Sequence, residues 1–196
     1  MKLSVKLRDG TPVILRPLVP EDRAALAEAF RRASSETRYQ RFWTHTGEMI
    51  GGKMLDKILD QDPGLHATWA VLDPQRDFPP IGGASWWRDQ ENPLEAEISA
   101  IILDEDHRRG IGTLLLAVMW LSAYRAGVRE LVGHTLVENR QATNWLRECG
   151  GTGSWDGYKL TFRWDLHDLD KLPSTPRTGE LVTWLAELAP GILKTE

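Results

Sequence analysis

The stretch AEISAIILDEDHRRGIGTLLLAVMW, Ala96 to Trp120, decides how the chain is read. Its first third alternates, so that an extended backbone carries Glu97, Ser99, Ile101 and Leu103 on one face. From Gly112 to Ala126 the length and apolar density are those of a helix, and Gly127 is a suitable residue to end it. Between them, DHRRGIGT puts charge and two glycines where a strand becomes a helix. Backbone N–H groups converge there, glycines let an anion approach closely, and the helix start adds positive potential. Arg108 and Arg109 bring charge to the same rim. Taken alone the unit is only loosely specific, because many loops need two glycines for geometry. A Walker loop would need lysine before Thr113, and a dinucleotide fingerprint would need glycine at Leu115; neither is present.

Upstream, TPVILRPL (11–18) alternates after the turn signal Asp9-Gly10 and predicts a strand. PEDRAALAEAFRRAS opens with Pro20 and two acids and predicts a helix, with Leu26, Ala29 and Phe30 at helical spacing. SSETRYQRFW predicts a short helix capped by Ser34 or Ser35, and GKMLDKILDQD a third. Three meandering strands are expected at 66–73, 81–89 and 95–104. Downstream come a strand (ELVGHTLV), a helix (NRQATNWLRECG) and a strand (YKLTFRWDL). Strand, helices, three strands, helix, strand, helix, strand makes an α/β (α+β) chain with a mixed sheet and helical crossovers between its late strands. Residues 1–166 are expected to form one domain. Residues 167–196 read as a linker and an amphipathic helix, with Leu181, Trp184, Leu185 and Leu188 on one face. That helix is expected to dock on its own domain or, alternatively, to build a homodimer.

With 196 residues, 41% hydrophobic and 27% charged, the chain has an ordinary globular composition. A net charge of -4 gives no global basic field for nucleic acid. No apolar run reaches the ~18 residues of a membrane span and no leader-like segment opens the chain, so a soluble, cytoplasmic protein is expected. The single cysteine, Cys149, excludes an internal disulfide and argues against a thiolate metal site. It reads as a buried spectator rather than a nucleophile. Nine tryptophans, including Trp86-Trp87, predict core packing before a substrate wall.

His107-Arg108-Arg109-Gly110-Ile111-Gly112 resembles the acyl-CoA-binding motif of the GCN5-related N-acetyltransferases, the GNAT superfamily, in which Gln or Arg is usual at the His107 position. VENRQATNWLRECGG is similar to the family's Asn-x-x-Ala…Gly-Phe block: Asn139, Ala142 and Gly150 match, while Gly151 stands where Phe is usual. LRDGTPVILRPLVPEDRAALAEAFRRASSETRYQRFW resembles the start of the GNAT domain in bacterial Pat-type protein-lysine acetyltransferases. The likeness spans residues 7 to 165 and is to that catalytic domain alone. Each motif is loose; their order and spacing together are specific.

The resemblance implies a GNAT fold, with a mostly antiparallel central sheet flanked by helices, and acetyl-CoA as cosubstrate without a metal. It implies direct acetyl transfer to an amine, with a protein lysine favoured and a polyamine, antibiotic or amino acid as the alternative. A non-catalytic CoA-binding sensor is the reading from another class. Glu97 falls where Pat-like enzymes carry a general base, with Glu95 competing from the same face. Backbone groups of Ile101, Ile102 and Leu103 are expected to hold the pantetheine, and the loop from His107 through Arg108, Arg109, Gly110, Ile111, Gly112 and Thr113 the pyrophosphate. Asn139 is expected beside the pantetheine or departing sulfur, with Arg140 as a phosphate contact. The position of the tyrosine that protonates the thiolate in many relatives is Leu146 here.

Overall fold

The structure, a computed structural model, describes residues 1–43, 47 and 49–194. Eight strands form one sheet in the order β1-β2-β3-β4-β5-β6-β8-β7. They are β1 (Leu3–Lys6), β2 (Pro12–Pro17), β3 (His66–Leu72), β4 (Pro80–Arg88), β5 (Glu95–Ile102), β6 (Glu130–Leu136), β7 (Thr152–Trp155) and β8 (Lys159–Asp165). The helices are α1 (Arg23–Arg32), α2 (Ser35–Phe42), α3 (Gly52–Leu59), α4 (Ile111–Arg125), α5 (Arg140–Glu148) and α6 (Pro176–Ile192). All strand pairs are antiparallel except β5 and β6, which α4 joins as a parallel crossover. This is the mixed, mostly antiparallel GNAT-type sheet expected.

β1 and β7 were not anticipated. They are the two edges of the sheet, four residues each, and β7 is exposed along its whole length. β7 buries no face and so shows no alternation to read, whereas β1 does alternate, with Leu3 and Val5 turned inward, but over four residues only.

α4 is buried almost throughout because it is covered twice. Its inner face packs on the sheet, where Ile111 meets the glycine step Gly82. Its outer face is covered by Leu181, Trp184, Leu185, Leu188 and Ile192 of α6, which belong to the same apolar cluster. The tail helix thus packs in cis on α4. At about 25 cal/mol per Å², leaving five such side chains exposed would cost several kcal/mol, which fixes the helix more firmly than its intrinsic propensity. Five tryptophans (69, 86, 120, 164 and 184) are core residues.

One hydrogen-bond cluster positions α2. Asp104, just after β5, accepts from Ser34 N–H at 2.9 Å, Ser34 Oγ at 2.7 Å and Thr37 Oγ1 at 2.8 Å. Ser34 Oγ in turn caps α2 through Thr37 N–H. These bonds lay α2 across β5, and with it Arg41 and Trp43.

Candidate active site

The β5–β6 pairing runs from Glu95/Glu130 only as far as Ile98/Gly133. Beyond it β5 continues to Ile102 and β6 to Leu136 without pairing, so the two strands splay apart. Gly133 marks the fork, where a Cβ would lie 3.3 Å from Trp164 and 3.5 Å from Ile98. Leu103 N–H donates back to Ile81 C=O on β4 at 3.1 Å. Strand groups alternate in direction, so the main chain of Ala100 and Ile102 faces the gap. A splayed strand offering unpaired amides suits an extended amide-bearing ligand, which can add itself as a partial strand.

The loop after β5 carries two left-handed residues, Arg108 at φ 64° and Gly110 at φ 88°. For arginine that conformation costs about 1–2 kcal/mol, so the surroundings must hold it. They do so through Asp106, whose fully buried carboxylate takes Arg76 at 2.7 and 2.8 Å and Arg109 at 2.5 Å. Arg109 also binds Asp9 at 2.7 Å and Thr11 Oγ1 at 2.7 Å, tying the loop to the β1–β2 hairpin. His107 Nε2 lies 3.1 Å from Ile102 C=O, which can only accept; the ring nitrogen is therefore the donor. The first helical bond of α4 is Leu114 N–H to Gly110 C=O. The amides of Ile111, Gly112 and Thr113 are left with no side-chain cap. This is an anion cradle at a helix start, open to a ligand with phosphates.

A cavity of about 770 Å³ runs from this cradle through the splay to the α2 side of the sheet, a size suited to a cofactor-scale ligand. Ile101, Ile102, His107, Arg108, Gly110, Ile111, Gly112, Thr113 and Asn139 all line it. Gly112 is needed for width, because a Cβ would meet the Trp145 ring at 3.2 Å. Asn139 caps α5, its Oδ1 accepting from Ala142 N–H at 3.0 Å. The amide oxygen is thereby spoken for, and its NH₂ is the group left for a ligand acceptor.

On the α2 side the walls are Arg41, Trp43, Glu97, His134 and Lys159. Glu97 makes no hydrogen bond or ion pair with a described residue, whereas its competitor Glu95 is held by Arg163 at 2.6 Å and does not line the cavity. Arg163 also pairs with Glu130. Burial pulls the Arg41 guanidinium below its usual range, with the Glu97 charge opposing that shift. His134 is likewise lowered, first by burial and then by Lys159, so it is neutral at pH 7. Its Nδ1 meets Thr161 Oγ1 at 3.0 Å and its Nε2 lies 3.4 Å from Lys159 Nζ. Arg41, Trp43, His134 and Lys159 were not singled out from the sequence. Only the RYQRF stretch (38–42) of the Pat-type segment contained a signal, and it marked Arg41 without a role.

Some expected residues lie elsewhere. The Arg109 side chain is consumed by Asp9, Asp106 and Thr11, so it serves the loop's shape instead of the rim. Leu103 spends its N–H on Ile81 and does not line the large cavity. Arg140 is exposed and outside it. Thr113 lines it, but its hydroxyl oxygen accepts from Trp145 Nε1–H at 3.3 Å. Cys149 is buried and its thiol is pushed up to about 12 by burial, which leaves no thiolate for nucleophilic attack. Leu146 puts no hydroxyl where relatives carry tyrosine; Tyr124 packs on His167 and Tyr158 on Trp43, and neither lines the cavity.

Gly151, in the usual Phe position, has a packing reason. A Cβ there would fall 2.7 Å from Trp164 and 3.0 Å from Leu146 C=O. Trp164 fills the space. Gly151→Ala is therefore expected to cost about 1–3 kcal/mol, read as a lower urea midpoint at unchanged m value.

The family profile Acetyltransferase (GNAT) domain matches residues 13–152. The chain belongs to the GNAT acetyltransferase family. The matched residues form a GNAT acetyltransferase domain. Acetyltransferase Pat of Mycolicibacterium smegmatis is 27% identical over 154 residues, 74% of this chain and 45% of that protein. The chain thus spans about half the length of this relative. The GNAT domain of Pat from S. lividans superposes with a TM-score of 0.77 at 21% identity, covering 84% of this chain and 96% of that one. A protein of Salmonella typhimurium described as an acetyltransferase and solved with acetyl-CoA gives a TM-score of 0.62 at 18% identity over 79% and 94% of the two chains. These likenesses are to the fold. Among the described residues no helix is long and apolar enough to cross a membrane, and no group of His, Cys, Asp or Glu could hold a metal ion.

Proposed function

We propose that this GNAT protein transfers acetyl from acetyl-CoA to the side-chain amine of a protein lysine, with Glu97 as general base. The observation that carries the reading is Glu97 itself. Three carboxylates line the cavity; Asp106 is bound by Arg76 and Arg109, and Glu148 is paired with Arg177. Glu97 alone of the three makes no hydrogen bond or ion pair with a described residue, and it stands at the α2 side of the fork. The amides of Ala100 and Ile102 and the helix start of α4 are the groups that would bind the pantetheine and pyrophosphate. Asn139 NH₂ is suited to the pantetheine or sulfur. With no tyrosine at Leu146, solvent is the proton source for the thiolate.

Arg41 and Lys159 sharpen the acceptor chemistry. Two cations beside the approach path disfavour an ammonium and lower the pKa of an entering amine. A lysine in water is neutral only about once in a thousand at pH 7, so this effect raises the reactive fraction before Glu97 takes the second proton. Pat-type resemblance of residues 7–43 favours a protein lysine. The same two cations favour, as a second reading, an amine that carries a carboxylate, such as an amino acid, over a polyamine.

Purified protein incubated with acetyl-CoA and lysine peptides, amino acids or polyamines, with thiol release followed, tests both. Turnover on lysine peptides is expected. Turnover confined to free amino acids would overturn the lysine reading. CoA binding with no turnover on any amine would favour the sensor and overturn catalysis.

A further inference from the structure

The N-terminal hairpin and the tail helix meet over the phosphate cradle. A Cβ built on Gly110 would come 2.9 Å from Glu180 Oε1 of α6 and 3.1 Å from Arg8 Nε. Glu180 accepts from Arg8 through two parallel bonds of 2.8 Å and from Arg177 at 3.2 Å. Arg177 Nε also lies 3.5 Å from Glu148. Both arginines line the cavity beside the loop, whereas Glu180 does not. The Glu180 side chain is 16% exposed, against 45% for Arg8 and 30% for Arg177. The guanidinium groups thus face the open space, with the carboxylate behind them.

We propose that Arg8 and Arg177 are phosphate ligands of the acyl-CoA, kept at the cradle by Glu180 until the nucleotide's phosphates take over their N–H donors. This rests on the acetyl-CoA reading above. Three observations carry it. A carboxylate already occupies the place next to the positive-φ Gly110, so the spot accepts an anion. The Arg8 fork presents the bidentate geometry that fits a phosphate as well as a carboxylate. Arg108, next along the cavity wall, makes no ion pair with a described residue, which adds a third cation to the same rim.

Glu180 then has two opposed effects. It holds two long side chains in place, which lowers the ordering cost of binding. It also sets a negative charge beside incoming phosphates, and in a partly buried site that repulsion is the larger effect. The tail helix, which lies beyond the family match at 13–152, becomes part of the nucleotide site.

Calorimetric titration of the full chain with CoA and with 3′-dephospho-CoA tests this. Each of Arg8→Met and Arg177→Met is expected to raise Kd for CoA about tenfold, the loss of one charge-assisted contact. Glu180→Gln is expected to lower it about threefold, by removing the competing charge. If the arginines bind the 3′-phosphate, the tenfold loss disappears with 3′-dephospho-CoA; if they bind the pyrophosphate, it persists. Either pattern supports the proposal and says which phosphate is held. Equal CoA affinity in the unaltered protein, Arg8→Met and Arg177→Met overturns it, as does weaker binding by Glu180→Gln, which is what a merely structural ion pair predicts. Arg8→Lys, which keeps the charge and loses the fork, should fall between the unaltered protein and Arg8→Met, and thermal unfolding of each variant separates lost affinity from lost folding. No CoA binding by the unaltered protein would instead overturn the acetyl-CoA reading.

Discussion

Glu97→Gln is expected to lower kcat/KM for amine acetylation by about 10²–10⁴, the usual contribution of a positioned general base. Glutamine keeps the size and one hydrogen-bonding oxygen of the side chain but takes no proton. The exposed carboxylate makes no hydrogen bond or ion pair with a described residue, and its charge eases the burial of Arg41, so thermal unfolding of the variant should be measured beside its rate. The pH profile should then change in a diagnostic way. Without a base, the rate depends on amine that is already neutral, so it should climb with pH toward the lysine pKa near ~10.4. Glu95→Gln provides the contrast. Glu95 shares Arg163 with Glu130, so its loss should change rate by less than about twofold, as for an exposed ion pair. A Glu97→Gln enzyme with unaltered rate at every pH would remove the carboxylate from the chemistry.

Asp106→Ala should give the largest loss of stability at the site, about 3 kcal/mol, the lower end for breaking a buried ion pair. Asp106 is wholly buried and joins Arg76 and Arg109 in one network. Alanine would leave both guanidinium groups short of a partner, although Asp73 still reaches Arg76 and Asp9 still reaches Arg109. For a chain of this length the loss corresponds to roughly 6–12 °C in Tm. The same carboxylate maintains the left-handed turn at Arg108, so acetyl-CoA should bind more weakly in the fraction that stays folded. Arg109→Lys tests the network from the other side. It keeps charge but loses the fork that reaches Asp9, Asp106 and Thr11 together, so it should lower Tm while leaving kcat near its original value. An Asp106→Ala protein as stable as the parent would show that the remaining acids suffice.

The parts of the site that were legible from the chain are those set by local rules. Alternation placed Glu97, Ser99 and Ile101 on one face of β5. The glycines at 110 and 112 and the helix that follows marked the cradle, and Ser34 is one of the two caps expected for α2, whereas the capping role of Asn139 on α5 was not read. Those features depend on residues a few positions apart. The order of the six central strands followed from the same periodicities; of the edge strands, β7 carried none and β1 alternates over only four residues.

What the local pattern left open was which of two neighbouring charges stays free. Glu95 and Glu97 are equivalent by alternation, and Arg163, 68 positions downstream in the chain, takes the first. Arg108 and Arg109 are adjacent, and Asp9, 100 positions upstream, takes the second. The residues that close the far wall, Arg41 on α2 and His134 and Lys159 on β6 and β8, meet only once the sheet is built. Backbone periodicity is written in the order of side chains along the chain. Charge pairing is settled by distances of 3 Å between segments that no local spacing relates, so only the folded chain decides which carboxylate and which arginine remain for a ligand.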